Sequence, residues 1–368
     1  MEEFFRRSLN RKNFVRGTLL FIICTIIGLS ISFLWSGISE IGSVLRSIRK
    51  EFLLLAVLCM FADWLIGATR LYIFVRKMSP RVTFFDSIRA VLATLCVGGI
   101  TPLQTGGIGH IYIFNRAGVP VSGAVTTGIL SFISTLTFLI LSTGYVVWWN
   151  PNSLPKGITF FSQYSLLMFA LVLLFFLLMV IKPEALLFPL TRLQLPKRRK
   201  LRFVAKFLDR LLLTLEKMIL EHKVYTRMFV TEHKMTWVLN FLFTAGIYMS
   251  RFVNGYILVR ALGGDAAFWD VIAIQVVWNF VTLFAPSPGA SGIAEFLLAV
   301  LMKNLVPTGA VGVYALFTRF FTTYCGVAVG GSVLVSQLAK DFDSQPTDEE
   351  TEMGRLADRK IGSRDLDE

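Results

Sequence analysis

The chain has 368 residues, of which 54% are hydrophobic, and it carries a formal net charge of +13 at pH 7. Its mean hydropathy is +0.64, whereas a soluble domain is roughly 45–50% apolar, so this composition excludes an ordinary soluble domain. The basic residues cluster beside long apolar segments, which is typical of membrane proteins and not of nucleic-acid-binding proteins. We therefore predict an integral membrane protein with no nucleic-acid partner.

The first apolar segment, residues 17–35, follows a basic stretch that we predict to be a cytoplasmic N-terminal segment, residues 1–16. The apolar segment is long enough to cross a bilayer, and no convincing cleavage site follows it, so we interpret it as a retained helix and not a signal peptide. In chain order, the apolar segments predict six full transmembrane helices at 17–35, 52–75, 121–149, 160–181, 236–259 and 311–338.

Two further apolar segments, 83–100 and 268–285, each run into a stretch rich in Pro and Gly. These stretches read TPLQTGGIG (101–109) and APSPGASGIAE (285–295). An unpaired backbone group in lipid costs several kcal/mol, so each break must be buried in protein or face a watery cavity. The residues predicted to break the helices are Pro102, Gly106, Gly107, Pro286 and Pro288.

The two halves of the chain resemble each other. LYIFVRKMSPRVTFFDSI (71–88) aligns with GYILVRALGGDAAFWDVI (255–272) at an offset of 184. The ordered agreement of polar and proline residues predicts an internal repeat. The aligned pairs are Tyr72 with Tyr256, Arg76 with Arg260, Asp86 with Asp270 and Pro102 with Pro286.

Positive charge predicts the topology. The N-terminus and the loop 182–235, which holds thirteen Lys/Arg against five Asp/Glu, are expected to be cytoplasmic. After two full spans the chain is back on the cytoplasmic side, and the two spans that follow the segment 83–118 must end there again at residue 182. The segment 83–118 must therefore cross the membrane an even number of times, and the simplest solution is a re-entrant hairpin. The corresponding hairpin at 268–303 then enters from the opposite side.

Each repeat therefore holds three full spans and one hairpin, and because three is odd the two copies are inverted. We predict an all-α polytopic protein with one transmembrane domain at 17–338, built of inverted repeats at about 17–149 and 160–338. An alternative treats each hairpin as two true spans, which gives eight spans. The polar, acidic residues 339–368 are predicted to be a disordered cytoplasmic tail.

The basic loop contains an amphipathic pattern at 195–220, with apolar residues at helical spacing and Lys/Arg opposite. Such a helix is typical of binding to anionic lipid headgroups. Packing on the cytoplasmic face of the protein is an equally good interpretation.

Polar residues within the spans predict a shared cavity. The glycines and serines before Glu295 expose N–H groups at the start of a half-helix, which suits an anion. Charged residues inside a membrane are functional candidates, although structural pairing of Arg319 with Glu295, or of Arg70 with Asp63 through a third group, is the alternative. The candidate substrate-binding residues are Glu295, Ser287, Gly289, Ser291, Gly292, Arg70, Asp63, Arg251, Asn254 and Arg319.

PSPGASGIAE resembles the Pro-x-Pro-Gly-Gly-x-Gly-x-x-Glu signature of the flippase-like membrane family, which includes the transmembrane domain of the lysylphosphatidylglycerol synthases. TPLQTGGIG resembles the upstream motif of that family, and the resemblance covers about residues 10–340. Ala290 replaces the second glycine of the signature. The residues that match the signature are Pro286, Pro288, Gly289, Gly292 and Glu295.

The resemblance implies that the protein binds an anionic or polyprenyl lipid and moves it across the bilayer of a prokaryotic cytoplasmic membrane, with both termini cytoplasmic. It does not imply aminoacylation. The alternatives are an ion-coupled transporter of a small soluble solute and a non-transporting membrane partner of a lipid-modifying or glycosyl-transferring enzyme. We expect no enzyme activity, cofactor or metal, and membrane lipids as partners, together with a homo-oligomer or a lipid-modifying enzyme.

Overall fold

The computed structural model describes residues 11–36, 41–102, 105–149, 156–182, 220–283, 285–307 and 309–343. Within these ranges the chain is helical and forms no β-strand. The helices are α1 (Arg11–Ser36), α2 (Ile41–Ser47), α3 (Lys50–Met78), α4 (Phe84–Ile100), α5 (Gly107–Arg116), α6 (Val121–Trp149), α7 (Lys156–Ile181), α8 (Lys234–Ala261), α9 (Phe268–Thr282), α10 (Ile293–Met302), α11 (Val311–Arg319) and α12 (Cys325–Asp343).

Five helical stretches are long and apolar enough to cross a membrane. The expected all-α class is thereby confirmed for the described residues. The sixth predicted span corresponds to α8, which has 28 residues but a more polar sequence, and it stays a prediction. The five stretches are Phe14–Leu34, Lys50–Met78, Val121–Trp148, Ser162–Ile181 and Val311–Lys340.

Two helices extend beyond the predicted transmembrane domain, whose boundaries stay a prediction. Residues 11–16, expected in the N-terminal segment, belong to α1, and residues 339–343, expected in the tail, belong to α12. Hydropathy locates the apolar part of a helix, whereas the helix continues into polar residues as long as its backbone hydrogen bonds persist. The rest of the N-terminal segment, most of the basic loop with its amphipathic stretch, and most of the tail lie outside the described residues.

Helix α4 shows how local sequence sets the helix bounds. Thr83 Oγ1 accepts a hydrogen bond from Asp86 N (3.2 Å), and Asp86 Oδ2 accepts one from Thr83 N (3.0 Å). This reciprocal capping box satisfies backbone donors that the first turn leaves unpaired. The helix ends at Ile100 because Pro102 disfavours helical geometry at the residue before it. Helix α4 thus ends next to the residues that the sequence predicts to break it.

The helix order recurs along the chain. Helix α8 begins 184 residues after α3, and α9 begins 184 residues after α4. The aromatic contact between Tyr72 and Phe84 has a centroid distance of 5.7 Å, and its counterpart between Tyr256 and Phe268 has one of 5.0 Å. Both contacts join the long helix of a half to the helix that follows it.

An arginine contact recurs at the same offset. Arg76 donates to the carbonyl oxygen of Pro80, and Arg260 donates to that of Gly264. Each arginine closes the turn after its long helix. The two halves therefore share local structure and local hydrogen bonding, although their sequences differ at most positions.

The described end of the basic loop, residues 220–232, packs on the start of α6. Ser122 Oγ donates to Glu221 Oε2 at 2.5 Å. Thr126 Oγ1 lies 2.8 Å from His222 Nδ1, and since Thr126 donates its hydrogen to Ser122 O, the imidazole Nδ1–H is the donor. Burial lowers the pKa of His222 below its ordinary value of 6.5 because the charged ring would lose its hydration.

We expect acid to loosen the contact between residues 220–232 and α6. A detached His222 has the ordinary pKa and binds a proton before the packed one does, so the packing is fully stable above pH 6.5 and weakens below it. Hydrogen exchange of residues 220–232 above and below that pH, corrected for intrinsic rates, measures the effect. His222→Gln is the control, because it removes the titrating group. Equal protection at both pH values in the wild-type protein would contradict the expectation.

Candidate functional site

The two helix breaks meet each other inside the protein. Gly289 N donates a backbone hydrogen bond to Thr101 O at 3.3 Å. Gly289 has a φ of +55°, and a Cβ atom there would lie only 2.7 Å from Gly99 O. A glycine is required because the backbone is left-handed and the neighbouring chain is in direct contact. The break after α4 and the break after α9, far apart in sequence, thus form one structural unit.

Helix α1 covers the second break. A Cβ atom on Gly28 would lie 2.6 Å from Gly292 Cα, so the two backbones touch. One turn earlier, Thr25 Oγ1 donates to Ser291 Oγ at 3.1 Å. Gly292 itself has a φ of +84°, which favours glycine. The small residues of the APSPGASG stretch therefore permit a close helix contact in addition to breaking the chain.

Gly28→Ala is expected to displace α1 from the break and to lower the thermal unfolding midpoint, since a methyl group cannot fit against the Gly292 backbone. The overpacking cost is about 1–3 kcal/mol. Gly42→Ala in α2 is the matched control, because no atom lies within 4 Å of the added methyl. A thermal scan in detergent compares the two variants, and an equal midpoint for both would contradict the close contact.

Glu295 and Arg319 form a buried ion pair at the start of α10. Arg319 Nε lies 2.8 Å from Glu295 Oε1, and the side chains are 4% and 0% exposed. Tyr324 OH donates to the same carboxylate oxygen at 2.8 Å. A buried carboxylate needs such compensation, because it has lost the hydration that stabilises it in water. The structural pairing that the sequence left open for these two residues is what the structure shows.

The start of α10 is not an open anion site. Gly292 N donates to Glu295 Oε2 at 2.6 Å, so the helix start is occupied by a carboxylate of the same chain. The expectation of an open, anion-facing half-helix is corrected here. Glu295 is the third residue of its helix and can reach back to the N-terminal N–H groups, as acidic residues often do.

Arg319 joins the second break, α10 and the turn that follows α11. Its Nη2 donates to Gly289 O at 2.7 Å, and its Nη1 donates to Thr323 Oγ1 at 2.8 Å. Thr323 lies in the π-helical turn Phe320–Tyr324, which connects α11 to α12. Such turns are frequent at functional sites. The guanidinium group therefore ties the second break to both α10 and the turn.

A second ion pair connects α3 to α8. Arg251 Nε lies 3.0 Å from Asp63 Oδ1, and its Nη2 lies 3.2 Å from Asp63 Oδ2, which is the two-point geometry that arginine favours. The guanidinium carbon also sits 5.4 Å from the ring centre of Tyr248. The interpretation that Asp63 pairs with Arg70 through a third group is wrong, since Asp63 is engaged by Arg251 directly.

Arg70 lies near this second pair and has no carboxylate partner among the described residues. Its Nη1 donates to Thr135 Oγ1 at 3.3 Å and to Thr244 Oγ1 at 3.2 Å. Its Nε is buried without a hydrogen-bond partner in the described part of the chain. The three arginines and two carboxylates of this interior region therefore leave one positive charge in excess.

A cavity of about 170 Å³ lies where the two breaks meet. Arg251 from α8 and Arg319 from α11 line it, and Gly99 and Gly289 contribute the backbone of the breaks. The other lining residues are mostly small or polar. They are Thr94, Leu95, Gly98, Tyr248, Trp278, Asn279, Thr282, Leu283, Thr322 and Thr323.

A match to a known family covers both breaks and all the residues that line the cavity. The sequence profile of the family described as the lysylphosphatidylglycerol synthase TM region covers residues 19–330. The chain belongs to the lysylphosphatidylglycerol synthase TM region family. A similar protein is a UPF0104 membrane protein of Archaeoglobus fulgidus, 24% identical over 302 residues, which are 82% of this chain and 91% of that protein. The chain is thus an integral membrane protein.

In this family member the predicted site residues divide into two groups. The first group lines the cavity or contacts the residues that line it, and Arg70 lies behind the pair of Asp63 and Arg251. Its members are Gly289, Ser291, Gly292, Glu295, Arg319, Arg251, Asp63 and Arg70. The second does not line the cavity. Asn254 donates to Ala56 O at 3.0 Å within the α3–α8 contact, and Ser287 lies within the second break with its Oγ unpartnered among the described residues.

Several residues of the site were not predicted from the sequence. Tyr324 binds Glu295, Tyr248 packs on Arg251, and Asn279 lines the cavity. Tyr248 could have been predicted from the sequence, because it continues the helical stripe of polar residues on α8. Thr25 and Thr135 could not have been predicted, since a single threonine in an apolar helix is common and the partner of each lies elsewhere in the chain.

Proposed function

We propose that this protein is a flippase-like lipid transporter that binds an anionic or polyprenyl lipid by its headgroup and moves it across the bilayer. The observation that carries the proposal is the cavity at the two meeting helix breaks, lined by one arginine from each ion pair. Broken helices that meet around a polar cavity are a recurring arrangement of membrane transporters. The proposed role is transport and not catalysis.

The charges of the site favour an anion. Asp63 and Glu295 neutralise Arg251 and Arg319, and Arg70 supplies the excess positive charge behind them. Arginine presents a planar fork that suits phosphate oxygens. On Arg251 the Nε and Nη2 groups are held by Asp63, so its Nη1 group is the part directed away from the carboxylate.

The size of the cavity suits a headgroup and not a whole lipid. Pockets that bury a drug-sized molecule are roughly 300–1,000 Å³, and this cavity is about 170 Å³. The acyl or prenyl chains would therefore remain in the bilayer. Glu295 would orient Arg319 and keep the second break rigid while the headgroup passes.

The same proposal includes the inverted repeat. The recurrence of α3 and α4 as α8 and α9, with matching arginine and aromatic contacts, supports two copies of one unit. Because each copy would hold three spans and a hairpin, the copies would be inverted and could rock to expose the cavity to each side in turn. We place both termini in the cytoplasm and the protein in the cytoplasmic membrane.

Reconstitution into liposomes tests the proposal. We expect the wild-type protein to accelerate the movement of labelled anionic lipids, from a panel that includes polyprenyl phosphates. Arg70→Gln and Glu295→Gln should slow that movement. Arg89→Gln is the control, since this arginine pairs with Asp86 on the surface and is 47% exposed. A wild-type protein that moves no lipid of the panel would remove the proposed function.

A small soluble anion is the second candidate substrate, favoured by the small volume of the cavity. An ion-coupled transporter of such a solute would use the same two arginines. Uptake of radiolabelled phosphate or short-chain organic anions into the same liposomes separates the two functions. Transport of the soluble anion without lipid movement would favour the second candidate.

A further inference from the structure

Three threonines of the cavity donate their hydroxyl hydrogen to a carbonyl oxygen of their own helix, and Thr282 donates to Trp278 O at 2.8 Å. Thr94 Oγ1 donates its hydrogen to Ala90 O at 2.7 Å, and Thr322 Oγ1 donates its hydrogen to Thr318 O at 2.7 Å. A hydroxyl group has one hydrogen and two lone pairs. Because the hydrogen is bound by the threonine's own helix, Thr94 and Thr322 offer lone pairs to whatever occupies the cavity. One lone pair of Thr322 faces Thr323 Oγ1 at 3.4 Å, which leaves the other for a ligand.

Asn279 offers a third acceptor. Its Nδ2 donates to Gln275 O at 2.9 Å, one turn earlier in α9. A carbonyl oxygen can only accept, so the nitrogen of the amide must be the atom that faces Gln275. The Oδ1 atom is therefore left to accept a hydrogen bond on the side of the cavity, which Asn279 lines.

The cavity thus combines two kinds of groups. Arg251 and Arg319 are positively charged donors, whereas Thr94, Thr322 and Asn279 are neutral acceptors. A bare phosphate ester would satisfy the arginines and leave the acceptors without partners. An acceptor that loses water and gains no donor destabilises the complex.

We propose that Thr94, Thr322 and Asn279 select a ligand whose anionic group is joined to hydrogen-bond donors, such as hydroxyl or amine groups. This inference rests on the proposed function for the claim that the ligand is a lipid headgroup. The arginines hold the phosphate, and the three acceptors hold the donor-bearing remainder of the headgroup. Charge decides whether a ligand binds, and the acceptors decide which anionic headgroup binds best.

Two lipids that differ only in hydroxyl groups test the selection. Phosphatidylglycerol and phosphatidylpropanol have the same charge and the same three-carbon headgroup, but only the first carries donors. We expect wild-type protein in liposomes to move phosphatidylglycerol faster by about tenfold, which corresponds to the net contribution of about one neutral hydrogen bond. The double variant Thr94→Val/Thr322→Val should lower the ratio of rates toward one, and Asn279 holds the preference that remains.

Two variants guard against a purely structural effect. Thr94→Ser/Thr322→Ser retains both hydroxyl groups and should retain the preference. Thr69→Val removes a threonine that donates to Leu65 O in the same way but does not line the cavity, and it should leave the ratio unchanged. A ratio that falls equally in the serine and valine double variants would overturn the proposal.

A binding measurement separates this inference from the proposed function. Thermal stabilisation of detergent-solubilised protein by glycerol 1-phosphate, compared with propyl phosphate, probes the same groups without any lipid movement. We expect stronger stabilisation by glycerol 1-phosphate. If no lipid moves but this difference is found, the transport function fails and the selection stands. If both lipids move at equal rates and both phosphates stabilise equally, the selection fails and the transport function stands.

Discussion

Replacing Arg319 with methionine is expected to lower the unfolding temperature more than any other single change at the site. The substitution leaves the Glu295 carboxylate, which is 0% exposed, without its cation. Removing one partner of a buried ion pair costs about 3–5 kcal/mol. The loss also frees Gly289 O and Thr323 Oγ1, which accept hydrogen bonds from the guanidinium group. Thermal unfolding of the purified protein in detergent measures the change.

A double variant distinguishes the charge from the loss of packing. Glu295→Gln/Arg319→Met removes both charges and should recover part of the lost stability, because a neutral pair no longer requires compensation. Arg89→Met breaks the surface pair with Asp86 and should leave the unfolding temperature almost unchanged, since exposed pairs contribute about 0–1 kcal/mol. A single Arg319→Met variant as stable as Arg89→Met would contradict the importance of the buried pair.

Arg251→Gln is expected to have the largest effect on transport. The substitution removes the guanidinium group from the cavity and leaves Asp63 unpaired, so the interior region loses its excess positive charge. Hydrogen bonds to charged groups are worth about 1.5–3 kcal/mol, which corresponds to a loss of about ten- to a hundredfold in anion binding. The initial rate of labelled-lipid movement at equal protein content measures the effect.

The neutral pair Asp63→Asn/Arg251→Gln separates transport from folding. It should recover part of the lost thermal stability, as expected for the double variant at Glu295 and Arg319, but transport should remain slow because the contact with the headgroup is gone. Arg251→Lys should give an intermediate rate, since lysine keeps the charge without the two-point geometry. Normal transport by the neutral pair would exclude Arg251 as a ligand contact.

The positions of the helix breaks can be predicted from local sequence. Pro102, Pro286 and Pro288 predict interruptions because proline lacks an N–H group and restricts its predecessor, and the structure has its breaks there. The bounds of α1 and α12 are harder to predict from the sequence, because polar residues continue each helix beyond its apolar part. Local chemistry predicts where a helix is interrupted better than where it ends.

The partners of the charged residues cannot be predicted from the sequence. Asp63 and Arg70 share one helix face, which suggested a link between them, yet Asp63 binds Arg251, 188 residues away. The pairing depends on how α3 packs against α8, and no spacing within a single helix encodes it. In the same way, the start of α10 suggested an anion site, but Glu295 itself occupies it.

The sequence by itself determined that this protein is a helical membrane protein with two Pro/Gly breaks and charged residues in its interior, because hydropathy, proline geometry and charge act locally. The tertiary structure decided that the two breaks meet, that each carboxylate is neutralised by an arginine from another helix, and that Arg70 carries the excess charge. These features depend on contacts between distant segments, and they are what make the cavity a candidate site for an anion.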